Sequence, residues 1–138
     1  MNTLYAIYGK SNSGKTSTIK HIDDVLATKY KLKIEVIGSL RKDIFHILYN
    51  NSYKIGIISQ GDVGDWLEDY LEILNNRKCN IIVCATHTRG KTCIAVEKYA
   101  TKYNIIWEEI EYYENKTKNF IKLKTVDRII KSISDEIG

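Results

Sequence analysis

Proline is absent from this chain of 138 residues, cysteine occurs three times, methionine once and phenylalanine twice. No apolar run approaches the roughly 20 residues that a membrane span requires. Each shortage excludes something. Cys79, Cys84 and Cys93 are odd in number and lack C-x-x-C spacing, which argues against a disulfide framework and against a zinc site, and leaves them as small buried apolar groups. Without proline, an internal repeat or a low-complexity linker, nothing divides the chain, and residues 1–138 suit one domain able to bury about two-thirds of its unfolded surface. Met1-Asn2-Thr3 leads straight into an apolar run with no signal-peptide pattern, so the expectation is cytoplasmic, with no membrane partner. Charge of one sign is also scarce: 21 basic against 17 acidic residues give a net +4. The basic residues cluster only at Lys29 to Lys33 and Lys116 to Lys124, beside expected turns, so nucleic acid is not a favoured partner.

What is present is concentrated near the amino end. Residues 9 to 16 read Gly9-Lys10-Ser11-Asn12-Ser13-Gly14-Lys15-Thr16, a complete G-x-x-x-x-G-K-[ST] pattern placed after the apolar run Leu4-Tyr5-Ala6-Ile7-Tyr8. A phosphate chain needs several N–H donors converging on it, and successive amides curling into a helix N-terminus supply them together with the positive end of the helix dipole. Side chains would block that approach, which is why glycine is needed at positions 9 and 14. Ser11, Asn12, Ser13 and Ser17 complete the segment expected to wrap the phosphates. Lys15 offers a cation to the β and γ phosphates, and the Thr16 hydroxyl can hold Mg²⁺. Behind the loop, Ile19, Ile22, Val25 and Leu26 fall on one face of a helix.

On these residues the chain resembles the P-loop NTPase superfamily. The resemblance implies a three-layer α/β sandwich, Mg²⁺ and a nucleoside triphosphate as cofactors, ATP before other NTPs, and phosphoryl chemistry. The remainder of the chain supports the fold class by itself, because apolar runs alternate with helical patterns as in βαβ units. Strands are expected at about residues 3–8, 33–38, 54–59, 80–86 and 104–113, and helices at about 14–29, 40–50, 64–77 and 91–102. Ile57-Ile58 and Ile81 to Ala85 are nearly all apolar, as in central strands, whereas Trp107 to Tyr113 is mixed and suits an edge. Asn115 to Asn119 reads as a turn and Phe120 to Lys124 as a returning strand. The expected sheet is therefore five-stranded and mostly parallel, with a C-terminal antiparallel hairpin and then a final helix carrying Val126, Ile129, Ile130, Ile133 and Ile137.

Ligands of such a sheet gather outside the carboxyl ends of its parallel strands. After the third strand stands Asp62, the candidate for the metal side. Gln60 is a weaker candidate for orienting water. Asp65 has the form of a helix cap, with Trp66, Tyr70 and Leu74 aligned behind it. After the fourth strand, Arg89 and Lys91 stand where either could neutralise charge on a transferred phosphoryl group or bind a second phosphate-bearing substrate. His87 as a general base is a weaker candidate, with no visible carboxylate partner. Gly90-Lys91-Thr92 is not a second loop of the same kind, since no glycine stands five residues before Gly90. Lys118 replaces the aspartate of a guanine-reading Asn-Lys-x-Asp motif at Asn115-Lys116-Thr117. The leading expectation is a compact Mg²⁺-dependent NTPase, with Lys15, Asp62 and Arg89 as its catalytic residues. A small-molecule or polynucleotide kinase gripping a phosphate acceptor with Arg41 and Arg89 is the alternative, and a nucleotide-bound module signalling to a protein partner with negligible turnover is the third.

Overall fold

The computed structural model describes residues 2–9, 14–40, 43–60, 64–110 and 115–138. Ten elements follow one another: β1 (Asn2–Tyr8), α1 (Lys15–Lys29), β2 (Lys33–Leu40), β3 (Asp43–Tyr49), β4 (Lys54–Ile58), α2 (Gly64–Asn76), β5 (Ile81–Thr86), α3 (Lys91–Glu97), β6 (Tyr103–Glu109) and α4 (Asn115–Ile137). The six strands form one mixed sheet in the order β2-β3-β4-β5-β1-β6. From β4 to β6 the neighbours run parallel, while β3 is antiparallel to both β2 and β4.

Side-chain alternation along the strands divides the interior in two. Tyr5 and Ile7 of β1 point to one face and pack with Ile19, Ile22 and Leu26 of α1 and Val126, Ile129 and Ile133 of α4. Leu4 and Ala6 point to the other, against Leu67, Leu71 and Leu74 of α2 and Ala95 and Val96 of α3. Burial of a side chain such as Leu71 contributes about 1.5–3 kcal/mol, and the two faces together make a three-layer arrangement of helices, sheet and helices. The interior strands β4 and β5 are nearly all apolar, as expected, and β6 lies at an edge. Polar ties fasten α4 to the sheet and to α1: Tyr5 Oη and Ser132 Oγ are 2.7 Å apart, Thr3 donates to Glu136, and Tyr30 Oη and Lys29 Nζ donate to Ser134 Oγ.

Three expectations need correction. The stretch 40–50 is not a helix. Leu40, Ile44, Ile47 and Leu48 fit helical spacing, but Ile44, Phe45, Ile47 and Tyr49 are strand formers, and β3 pairs on both sides, Phe45 with Gly38 and Ile58. Residues 115–124 form neither a turn nor a returning strand. They open α4, because the alternation Ile121-Lys122-Leu123-Lys124 is only four residues long inside a 23-residue segment free of Gly and Pro. The sheet consequently has six strands, and its antiparallel part lies at the β2 edge. Trp66 is also not aligned on the buried face of α2: it is 49% exposed, and Leu67, Leu71 and Leu74 make the contact.

Candidate functional site

The parallel strands β4, β5, β1 and β6 deliver their carboxyl ends to one edge of the sheet, and β3, running the other way, begins at that same edge. At the end of β1, Gly9 is buried. Gly14 stands immediately before α1 with φ +94°, a left-handed conformation that a Cβ would strain, and its carbonyl accepts the first helical bond from Thr18 N–H at 3.0 Å. Among the described residues, no side chain caps α1 at this end.

Lys15 is 7% exposed, and its Nζ donates to Gly9 O at 2.9 Å and to Thr86 O at 2.8 Å. The ammonium thus ties the end of β1 to the end of β5 at the start of α1. Next along the helix, Thr16 Oγ1 donates to Asp43 Oδ1 at 3.1 Å. The same carboxylate oxygen accepts from Ser59 Oγ at 2.8 Å, and Ser59 Oγ in turn accepts from Ile44 N–H at 2.8 Å. Ser59, 2% exposed at the end of β4, therefore holds the beginning of β3 and aims its first side chain at Thr16.

Gly9, Gly14, Lys15 and Thr16 lie together at this edge, joined by Thr86. Ser17 is exposed, with its hydroxyl 3.2 Å from Gly14 O. Ser11, Asn12, Ser13, Asp62 and Arg41 lie outside the described residues, as does the side chain of Asp65. Gln60 is half-buried just past β4. His87 is half-buried and is fixed through its main chain, its N–H donating to Thr92 Oγ1 at 2.9 Å and its carbonyl accepting from Thr86 Oγ1 at 2.8 Å. Arg89 is exposed in the turn before α3. Sequence reasoning missed Asp43 and Ser59. Asp43 opens an antiparallel strand whose spacing also fits a helix, and a helix over residues 40–50 would not bring it to the edge.

Beside this edge, on the α3 face, lies a groove of about 410 Å³, lined by Tyr8, Arg89, Cys93, Ile94, Glu97 and Trp107 among others. The cysteines divide: Cys79 and Cys84 are fully buried, and burial pushes their thiols up to about 11 and about 12, whereas Cys93 is half-buried with Sγ 3.1 Å from His87 O. The pair Thr16 and Asp43 offers hydroxyl and carboxylate oxygen, donors suited to a hard cation. Among the described residues there is no cluster of three or more His, Cys, Asp or Glu. Mg²⁺ requires none, since it retains waters and binds through one or two carboxylates plus substrate phosphates.

Fold and site together define an α/β protein with a mixed six-stranded sheet and four helices, whose carboxyl edge joins a buried lysine to a hydroxyl–carboxylate pair. Comparison with family models, curated proteins and solved structures yields no match. Geometry and chemistry therefore carry the functional argument.

Proposed function

We propose that the protein is a P-loop domain that binds a nucleoside triphosphate, ATP before others, with Mg²⁺, and hydrolyses it. The observation that supports this most is the contact between Thr16, where the motif expects the metal, and the carboxylate of Asp43, beside a lysine held at the start of α1. Thr16 and Asp43 would hold Mg²⁺, which when bound supplies a Lewis-acid clamp on phosphate oxygens.

The chain's own residues do the rest. The main-chain amides at the start of α1 and the helix dipole receive the anionic phosphates. Lys15 is kept beside them by Gly9 O and Thr86 O, both neutral acceptors, which phosphate oxygens outbid because a bond between two charged groups is roughly twice as strong as a neutral one. Ser59 keeps Asp43 in register with Thr16. Arg89 stands past β5 as the cation for charge on the departing phosphoryl group. Replacing Lys15 with Ala removes a charge-assisted contact of about 1.5–3 kcal/mol, so nucleotide affinity should fall about 10- to 100-fold by calorimetry. Unchanged affinity and turnover would end the proposal.

One observation favours a second reading, phosphoryl transfer to a small acceptor: Arg89 lines a groove with room for another molecule. Incubation with labelled ATP separates the two, since a hydrolase yields only free phosphate.

A further inference from the structure

We infer that the groove between α3 and the β1–β6 edge is a nucleobase site. Its walls are the first reason. Tyr8 and Trp107 meet edge to face, with centroids 6.1 Å apart and planes at 76°. Trp107 remains 38% exposed and Ile94, across the groove on α3, 54% exposed. Large apolar and aromatic surfaces left in water on two sides of one cleft suit a planar ring, because every base has a π face to stack. The rim is the second reason. Thr88 supplies a hydroxyl donor and Glu97 supplies acceptors, and base edges present both kinds of group. An aliphatic ligand would leave that rim unused, and a polyanion would meet the carboxylate of Glu97. The third reason is continuity. Tyr8 immediately precedes Gly9, and Arg89 lies three residues beyond Thr86, so the groove opens beside both ends held by Lys15. A volume of about 410 Å³ lies within the roughly 300–1,000 Å³ of small-molecule sites.

The base can come from two sources: the nucleotide whose phosphates lie in the loop, or a separate nucleoside. The inference goes beyond the phosphate-loop proposal and is decided separately from it. The chain has two tryptophans, and Trp66 on α2 does not line the groove, so in a Trp66→Phe background Trp107 is the sole tryptophan and reports when excited at the red edge, where tyrosine does not absorb. That protein is titrated with nucleosides, with ATP and with tripolyphosphate, while calorimetry reads tripolyphosphate binding independently of the dye-like signal. Saturable quenching by a nucleoside, weakened about tenfold or more by Ile94→Arg, is the expected result. Ile94 is exposed, so this substitution fills the groove without entering the core. Competition between nucleoside and ATP assigns the groove to the base of the loop-bound nucleotide, and undiminished quenching in saturating ATP assigns it to a second molecule. If no nucleoside or nucleotide alters Trp107 at millimolar concentration while tripolyphosphate binds, the groove inference is overturned and the loop proposal stands. If nucleosides bind and tripolyphosphate does not, the groove stands and the loop proposal falls.

Discussion

Asp43 Oδ1 accepts hydrogen bonds from hydroxyls on two different elements, Thr16 of α1 and Ser59 just past β4. Replacement by Asn keeps an oxygen in that place and removes the charge. Asp43→Asn should therefore fold, keep its affinity for nucleotide in the presence of a chelator, and lose about tenfold of the affinity that Mg²⁺ adds. Calorimetry with and without Mg²⁺ measures both, and an unchanged Mg²⁺-dependent increment would remove Asp43 from the metal side. At this scale the sequence was readable where residues that meet in space are also near in the chain. Gly9, Gly14, Lys15 and Thr16 lie within eight residues. Asp43, Ser59 and Thr86 reach the same point only through sheet pairing, and nothing in their own neighbourhoods marks them.

Among the elements, β4 and α2 meet most closely at Gly56. A Cβ added there would lie 2.6 Å from Leu74 Cδ1 and 3.1 Å from Leu74 Cγ, and Leu74 is fully buried, so its side chain must repack among its neighbours. Gly56→Ala should therefore destabilise the protein by about 1–3 kcal/mol through overpacking. Urea unfolding should show a lower midpoint with an unchanged slope, and a loss below about 0.5 kcal/mol would mean that α2 shifts freely on the sheet. Elements whose pattern has one period were legible from the sequence: α1 with Ile19, Ile22 and Leu26, and β5 with its continuous apolar run. β3 was not, since Leu40, Ile44, Ile47 and Leu48 satisfy a helix and a strand equally, and only antiparallel pairing on both sides decides between them. α4 misled in the opposite sense, four alternating residues imitating a strand inside a long helix.

Across the whole molecule, stability depends on what is buried between α1 and β3. Asp23 is 4% exposed, and its Oδ2 lies 3.4 Å from His46 Nδ1. That is an ion-pair distance, but among the described residues neither Asp23 Oδ1 nor His46 Nδ1 has a hydrogen-bond partner, and Thr18 Oγ1 lacks one as well. Burial raises the Asp23 carboxyl above its ordinary 3.8, with His46 pulling down and Asp24 pushing further up. The folded protein then holds this proton more tightly than the unfolded chain does. Ionising Asp23 costs stability, and the cost is absent well below 3.8, grows as the pH rises past 3.8 and is complete above the raised folded-state value. Asp23→Asn should accordingly gain on the parent protein between acid and neutral pH, by on the order of 1 kcal/mol, and lose that advantage in acid. Equilibrium unfolding at both ends of the range measures the difference, and a gap independent of pH would show that the charge is not what burial penalises.

Consider finally the order in which a ribosome makes these strands. β1 is made before the other five strands described, yet Thr3 pairs with Ile81 and Asn2 with Tyr103, so both of its neighbours are synthesised long after it. Such distant partners close slowly. A nascent chain stalled before β6 leaves β1 with β5 alone, and Trp107 is not yet made to form the second wall of the groove. The groove is thus completed only when β6 docks beside β1.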